Sequence, residues 1–519
     1  MTDEAGPTLQ EEDVSSQAGA RVFSALRIDI VDAALARPDD ALAETLADFL
    51  AGETRDQGLR LWFGDKALDQ AGDDPRKLKH VLARDIAAID QLIGAQVDAI
   101  LHDPGFKRLE ASWRGVTYLL DEAGSDEKVK IRLFNATWQE LARDFDRTIE
   151  FDQSTLFAKV YSDEYGMPGG LPYGLLLCDY AIRHRYPSGA GQATDDVGAL
   201  TGLAQVAAAS FAPCVISAAP ELFGVSTFAD LSHMQKLDAG FRMAEYQRWR
   251  KLQEQEDSRF LGVLLPRILL RDRHGDSHVR EDGFRYRETS GNIDSWLWGN
   301  AVYGFGAVAI RSFRDWGWFA DMRGARPDVE EAGIITGLPA PDFSTMEGIA
   351  FRRPLEVELT DKKQKALEEL GFVALSPCSF TRSAVFLGMQ SLHLPTETRN
   401  MTESTNARLS SMLQYVMCIS RFAHYAKVMA RDRVGAFTTA TELENYLNEW
   451  LRGYMLGNAD AGPELKARYP LGGGSISVKE TPGRPGVMSC VMHFQPHFQF
   501  DHMVTGLRLR TEMQSVRAN

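Results

Sequence analysis

Hydrophobic residues recur every three or four positions in several parts of the chain, a spacing that predicts amphipathic helices. The first stripe consists of Leu82, Ile86, Ile89, Ile93, Val97 and Ile100. Asp103, Pro104 and Gly105 follow it and predict its end. The second stripe consists of Leu109, Trp113, Val116 and Leu120. Further helices are predicted over 197–209, 244–253 and 300–316.

Alternating apolar and charged residues predict two half-buried strands. Val129, Ile131 and Leu133 alternate with Lys130 and Arg132, and Leu355, Val357 and Leu359 alternate with Glu356 and Glu358. Uniformly apolar runs at 175–178 and 261–265 predict buried strands. The longest apolar stretch, 203–219, is interrupted by Pro213, so it predicts a buried helix followed by a buried strand and not a membrane span.

The carboxyl-terminal region predicts two helices followed by three strands. Leu409, Met412, Val416, Ile419, Ala423, Ala426 and Ala430 predict one uninterrupted helix. Thr441 and Glu444 fit a capping box at the start of the second helix. The strands are predicted at 475–480, 487–494 and 503–512.

The last of these strands is a candidate for pairing with another subunit. One face would carry Met503, Leu507 and Leu509, and the other would carry Val504, Arg508 and Arg510. A terminal strand can form a sheet edge or cross to a neighbouring chain. An ordinary edge strand protected by its arginines is the simpler interpretation of the residues alone.

These elements predict an α+β (mixed α/β) multidomain fold. We expect an amino-terminal arm over 1–78, a mixed core over 79–400 and a carboxyl-terminal domain over 401–519. The arm carries a short apolar segment, 25–31, that could also serve as a linking strand. The length of 519 residues is enough for three or four domains.

Composition excludes several classes of function. Lys and Arg number 57 against 72 Asp and Glu, a net charge of −15, which argues against nucleic-acid coating and against binding to anionic membranes. The five cysteines are widely spaced, so a disulfide framework or zinc finger is not expected. The acidic amino terminus does not resemble a signal peptide, and the protein is predicted to be cytoplasmic.

Motifs for chemistry are weak, and neither a cofactor nor a metal is predicted. Gly304, Gly306 and Ala309 match the dinucleotide pattern G-x-G-x-x-A, but residues 295–303 are typical of the first half of the same helix. Close helix packing is therefore favoured, and a nucleotide-cofactor enzyme using Gly304 to Ala309 remains a remote alternative. His493, His497 and His502 could ligate zinc, but ordinary histidines are favoured.

Several ordered motifs resemble the large subunit of the type VI secretion contractile sheath, the TssC/VipB family. The signature LE-x-x-WRG is present as Leu109, Glu110, Trp113, Arg114 and Gly115. Other matching segments are FDQSTLF from Phe151, PGGLPYG from Pro168, EDSRF from Glu256, WGNA from Trp298, SRFAHY from Ser420 and RYPL from Arg468. The resemblance extends from about residue 80 to the end of the chain.

The resemblance implies a mechanical protein and no enzyme. Family members resemble phage tail sheath proteins and pair with a small sheath subunit. The pairs form a helical polymer around an inner tube of hexamers, in contact with a baseplate, and contract to propel the tube. Strands donated between neighbours link the subunits, and an AAA+ unfoldase recycles the contracted sheath, mainly through the small subunit. Because the arm 1–78 matches less well, a non-polymerising or regulatory paralogue is the alternative.

Overall fold

The computed structural model describes the larger part of the chain. The described residues are 54, 75–167, 169–184, 194–275, 284, 286–289, 295–325, 332–339, 353–378, 381, 383–395, 401–432, 439–458, 461–480 and 488–497. The chain divides into one unit of residues 1–95 with 282–285 and a second unit of residues 96–281 with 286–519. In the first unit, the described structure is chiefly the beginning of a long helix.

The helices follow the apolar stripes closely in most places. They are α1 (Pro75–Leu101), α2 (Pro104–Ala123), α3 (Trp138–Arg147), α4 (Thr155–Phe157, continued by a π-helix, Ala158–Tyr165), α5 (Asp196–Ser210), α6 (Phe228–Leu231), α7 (Leu237–Phe241), α8 (Gln247–Glu254), α9 (Val302–Trp316), α10 (Asp361–Glu369), α11 (Met401–Ser410), α12 (Leu413–Asp432), α13 (Ala440–Arg452) and α14 (Pro463–Arg468). Both predicted amino-proximal helices and those at 197–209, 244–253 and 300–316 are confirmed.

The strands belong to one large sheet and two pairs. They are β1 (Leu176–Ile182), β2 (Cys214–Ala218), β3 (Leu261–Leu265), β4 (Ile268–Arg271), β5 (Leu297–Gly299), β6 (Ile334–Ile335), β7 (Phe372–Pro377), β8 (Ala384–Phe386), β9 (Leu471–Glu480) and β10 (Met488–Pro496). The large sheet has the order β1-β2-β3-β7-β8-β6, and its first four strands are parallel. Strands β4 and β5 pair with each other, as do β9 and β10.

The central strands β2, β3 and β7 of the large sheet are buried on both faces, which explains why most of their residues are apolar. Side chains alternate between the two faces of a strand. In β3, Val263 and Leu265 belong to one hydrophobic cluster, with α5, α8 and α10. Leu264 belongs to the other, with α2, α9 and the start of α12. Such burial is typical of parallel sheets between helical layers.

Residues 203–219 form a buried helix followed by a buried strand, as predicted, in α5 and β2. Among the described residues, no helix is long and apolar enough to cross a membrane.

Neither alternating segment predicted as a strand forms one. Residues 129–136 pair with no strand among the described residues. Leu355 forms only an isolated bridge with Ile268. Glu356 is buried there, where its carboxylate accepts two hydrogen bonds of 2.6 Å from Arg267. Alternation predicts side-chain faces correctly, but a strand also needs a backbone partner that the local pattern cannot specify.

Two predictions for the carboxyl-terminal helices are wrong. The single helix expected across Leu409 to Ala430 is interrupted between α11 and α12, because Met412 forms a bridge with Gln390. The amino-terminal cap of α13 is Thr439, which accepts a hydrogen bond from the Glu442 backbone, and not Thr441. Competing tertiary hydrogen bonds decide both positions.

A third hydrophobic cluster joins the β9/β10 pair to α12 and α13. Trp318 stacks on Phe422 with ring centroids 4.0 Å apart, and Leu447, Leu451 and Ile476 are buried beside them. The predicted strands at 475–480 and 487–494 are confirmed as β9 and β10. The predicted strand at 503–512 and the apolar segment at 25–31 lie outside the described residues.

Buried His424 on α12 makes stability depend on pH. Its Nε2 atom lies 2.9 Å from the Ser210 carbonyl oxygen, and burial lowers its pKa to about 4. Between the ordinary pKa of about 6.5 and this value, the unfolded chain binds more protons than the folded chain. The contribution of His424 to stability is therefore largest above pH 6.5 and falls as the pH decreases towards 4.

We predict that His424→Gln removes part of this acid sensitivity. The His424 contribution is on the order of 3 kcal/mol when the pH has fallen below the folded-state pKa. Glutamine keeps a donor for the Ser210 carbonyl but does not titrate. Urea denaturation of both proteins between pH 7 and 4.5 measures the difference, and parallel pH profiles would contradict the prediction.

Candidate functional site

The β9/β10 hairpin is the first candidate for an assembly surface. The strands pair in an antiparallel register from Met488 with Glu480 to Gln495 with Gly473, and a bulge near Pro496 shifts the register. Ile476, Val478, Met492 and Phe494 face the hydrophobic cluster of α12 and α13. Val491 on the opposite face is exposed. One face of the hairpin is therefore packed against this cluster, while Val491 on the other face is exposed.

The outer edge of β9 is closed by side chains of α13. Asn448 Nδ2 donates to the Ile476 carbonyl oxygen at 2.6 Å, and the Ile476 N–H donates to Asn448 Oδ1 at 2.9 Å. The Val478 N–H donates to Glu444 Oε2 at 2.8 Å. Near the base of the hairpin, the Leu456 N–H donates to the Leu471 carbonyl oxygen at 2.8 Å. These bonds satisfy backbone groups that would otherwise be available to another strand.

The outer edge of β10 has no such closure within the described part of the chain. In an antiparallel pair, residues alternate between bonding to the partner strand and pointing away from it. Because Ile476 and Val478 bond outwards to α13, their partners Met492 and Cys490 point their N–H and C=O groups away from β9. Phe494 has the same position in this alternation, so its backbone groups also point away from β9. No described residue bonds to these groups.

The LE-x-x-WRG signature lies on α2, whose two faces have different roles. Asp103 caps the helix by accepting hydrogen bonds from Gly105 and Phe106, and Pro104 occupies the first turn. Gly115 packs against α9 so closely that a Cβ atom would lie 2.5 Å from the Tyr303 ring. Gly115 therefore allows the two helices to approach.

Glu110 and the exposed Arg114 belong to a charge cluster beside the signature helix. Arg114 Nε donates to Glu110 Oε1 at 2.7 Å, and Arg271 Nε lies 2.9 Å from the same oxygen. Arg271 also binds Glu288, at 2.7 and 3.1 Å, and His102 Nε2 lies 3.2 Å from Glu288. Burial raises the pKa of Glu288, but hydrogen bonds from Arg271 and the His274 backbone outweigh it and lower the pKa to about 2. The cluster connects α2 with β4 and with His102.

The other signature residues form an exposed apolar stripe, the second candidate surface. Leu109 is 58% exposed and Trp113 is 59% exposed, and Phe106 and Leu120 extend the row along α2. Their spacing of three and four residues places them on one side of the helix. A contiguous exposed row of this kind is typical of a surface that another protein covers.

Helix α1 has an exposed apolar stripe of its own. Ile86, Ile89, Ile93 and Ile100 are exposed and follow the same spacing. The predicted amphipathic pattern of this helix is therefore correct, although the apolar side is not buried by the described chain. Sequence periodicity gives the stripe but not what covers it.

The glycines of the dinucleotide pattern lie within a helix. Gly304 and Gly306 lie inside α9, where added Cβ atoms would meet Ile335 and Leu177 side chains at 2.6 Å. The preceding residues Leu297–Gly299 form β5, so the prediction that 295–303 begins the helix is wrong. The glycines serve close packing and leave no loop for a pyrophosphate.

The terminal strand residues Met503, Val504, Leu507, Arg508, Leu509 and Arg510 lie outside the described residues, as does His502. No group of three potential metal ligands occurs among the residues that are described. Sequence reasoning missed Asn448 and Glu444, because an asparagine and a glutamate on a helix carry no signal for a partner strand distant in sequence.

Comparison with known proteins gives one consistent family. The VipB profile, described as EvpB/VC_A0108, tail sheath N-terminal domain, matches residues 83–393. The profile of the tail sheath gpW/gp25-like domain matches residues 402–513. The type VI secretion system sheath protein TssC1 of Pseudomonas aeruginosa is 34% identical over 438 residues, which cover 83% of this chain and 86% of that protein.

A solved structure also aligns with the chain at low similarity. It is the cryo-EM structure of the anti-feeding prophage baseplate, with a TM-score of 0.34 and 10% identity, covering 72% of this chain and 82% of that one. At this TM-score the likeness supports no further conclusion.

We predict that Gly115→Val destabilises the chain while leaving the exposed stripe intact. The valine must displace the buried Tyr303 ring, and overpacking of this kind costs about 1–3 kcal/mol. Chemical denaturation should show a lower midpoint than for Thr117→Val, a control with the same new residue at an exposed position of α2. Equal midpoints for the two variants would show that the helices can separate without cost.

Proposed function

The chain belongs to the TssC/VipB family of type VI secretion contractile sheath large subunits, and from this we propose how its two surfaces build the sheath. A sheath subunit is a structural protein whose work is done by its interfaces. The open edge of β10 would link large subunits to their neighbours. The exposed stripe of α2 would bind the second, small sheath subunit.

The single observation that carries the first link is the asymmetry of the hairpin edges. The β9 edge is closed by Asn448 and Glu444, whereas Cys490 and Met492 direct backbone groups outwards from β10. A strand from a neighbouring subunit would complete these hydrogen bonds, as in other cases of strand addition. We propose that residues 503–512 supply this strand, with Met503, Leu507 and Leu509 on one face and Val504, Arg508 and Arg510 on the other. The apolar segment 25–31 is a second possible donor.

Strand addition suits a contracting assembly for a physical reason. Main-chain hydrogen bonds run along the shared sheet, so a linked pair of subunits can rotate about it while the side-chain interfaces slide. The links would therefore persist while the polymer shortens. Energy would be stored in the extended assembly and released on contraction, without chemistry in this chain.

The second surface fits a partner chain because it is apolar, regular and rigidly supported. The inner face of α2 is held by Gly115 against Tyr303 and by the Glu110 cluster, so Leu109 and Trp113 are presented on a fixed helix. Exposed aromatic residues on rigid elements are typical centres of binding energy. We propose that a helix of the small sheath subunit covers this stripe.

The wider assembly follows from the family. Heterodimers would polymerise in the bacterial cytoplasm around the hexamers of the inner tube, starting from the baseplate. An AAA+ unfoldase would recycle the contracted form, mainly through the small subunit. No nucleic acid, membrane insertion or cofactor is part of the proposal.

A non-polymerising paralogue is the second candidate. The observation that favours it is that the family profiles begin at residue 83, so the arm 1–78 lies outside them. Such a protein would bind the small subunit but form no tubes. The deletion experiment below distinguishes the two functions, because it first tests whether the unaltered chain forms tubes. A paralogue that does not polymerise would form none.

We predict that deleting residues 503–519 abolishes tube formation with the co-expressed small subunit but leaves a soluble heterodimer. Deleting only 513–519 is the matched control and should leave tubes intact. Leu507→Asp should weaken assembly in the same way, because a charge would be placed against the inner face of the shared sheet. Negative-stain electron microscopy measures the tubes, and normal tubes from the longer deletion would place the link elsewhere.

We predict that Trp113→Asp prevents co-purification of the small subunit without unfolding the chain. The side chain is 59% exposed, so its loss should change the denaturation midpoint little, whereas a charge would disrupt an apolar interface. Arg108→Asp introduces the same residue on another face of α2 and should retain the partner. Retention of the partner by Trp113→Asp would exclude the stripe as the contact.

A further inference from the structure

The segment between α2 and α3 has the form of a strand without a partner. Residues 129–137 contain no turn and no bend, and the side chains of Val129 and Ile131 are half-buried while those of Lys130 and Arg132 are exposed. This alternation is the side-chain pattern of an extended chain. Ile131 packs against the hydrophobic core beside the large sheet.

The segment is held in place by side chains and not by its backbone. Arg132 forms an ion pair with Glu164 and a hydrogen bond of 3.2 Å with the Tyr173 hydroxyl. The Tyr180 hydroxyl donates to the Ala136 carbonyl oxygen. Within the described chain, the N–H and C=O groups of residues 130–135 make no hydrogen bond. Because residues 130 and 132–135 are exposed, these groups are open to water or to another chain.

Two large apolar side chains at the end of the segment are exposed. Leu133 is 64% exposed and Phe134 is 52% exposed, although they adjoin a segment seated on the core. The exposed residues Lys128 and Lys130 precede them. The segment thus offers an open backbone, a basic face and an apolar end.

We propose that residues 130–134 accept a β-strand from the small sheath subunit, and that this strand carries acidic residues opposite Lys128 and Lys130 and apolar residues beside Leu133 and Phe134. The inference rests on the proposed function in taking the small subunit as the partner. Charge complementarity defines the strand, because opposite charges across paired strands stabilise the pairing.

Position along the chain supports the same partner. The segment begins six residues after the end of α2, whose apolar stripe ends at exposed Leu120. The segment follows α2 in sequence, so a partner that covers this stripe can also reach the segment. Since the segment is already extended, docking a strand would require little additional ordering of this chain.

Amide hydrogen exchange of the full chain, alone and in complex with the small subunit, tests the inference. Added strand pairing should slow exchange at alternate residues between 130 and 134 in the complex, because alternate N–H groups point to a partner on one edge. Unchanged exchange there, in a complex whose α2 amides are protected, would overturn the inference and leave the proposed function intact. If the amides of residues 130–134 were protected in the chain alone at high concentration, a second copy of this chain would be the partner, and the inference would be overturned.

A pair of variants at Lys130 separates backbone pairing from charge. Lys130→Pro removes an N–H that has no partner among the described residues, so the chain itself should fold unchanged. Affinity for the small subunit should fall about tenfold or more, with Lys130→Ala falling less. Since only alternate N–H groups point to a partner, proline and alanine variants at Leu133 test the opposite phase, and equal affinities within both pairs of variants would overturn strand addition. Failure of the unaltered chain to bind the small subunit at all would refute the proposed function as well.

Discussion

The backbone hydrogen bonds at strand edges are the constraint on which this structure depends. A buried N–H or C=O group without a partner costs free energy, so every strand edge must be paired, covered or exposed to solvent. The large sheet meets this constraint internally over its parallel strands. The β9 edge meets it through Asn448 and Glu444, which take the place of a neighbouring strand. The β10 edge and the segment 130–134 have no such partner among the described residues.

The signature helix likewise has one side that contacts the rest of the chain and one side that is exposed. Its buried side fixes position: Gly115 permits contact with Tyr303, and Glu110 joins the cluster around Arg271 and Glu288. Its other side presents Leu109 and Trp113 to the surroundings. A single short motif therefore contains both the support and the contact. That combination allows one helix to be fixed on the core and to present an apolar surface.

A subunit that transmits force needs interfaces that are anchored to a rigid body. The hairpin is anchored by the aromatic cluster of Trp318 and Phe422 and by the polar contacts from α13. The α2 stripe is anchored through α9 to the large sheet. Packed side chains thus connect both surfaces to the core.

The sequence by itself determined the family, the mixed fold class and the position of most helices and buried strands. These features depend on local periodicity and on ordered motifs, both of which can be identified without knowing which residues meet in space. The sequence also predicted the apolar stripe of α2, but it did not predict that this stripe is exposed. The signature residues were identified as a group, without their division between two faces.

Only the tertiary structure decided which backbone groups find partners. Val129, Ile131 and Leu133 have the alternation of a strand, but no described strand pairs with them, whereas Asn448 closes a strand edge 28 residues away in sequence. The break between α11 and α12 at Met412 likewise comes from its bridge to Gln390. Pairing requires two segments that the fold brings together, so the hydrophobic pattern of either segment alone does not predict it.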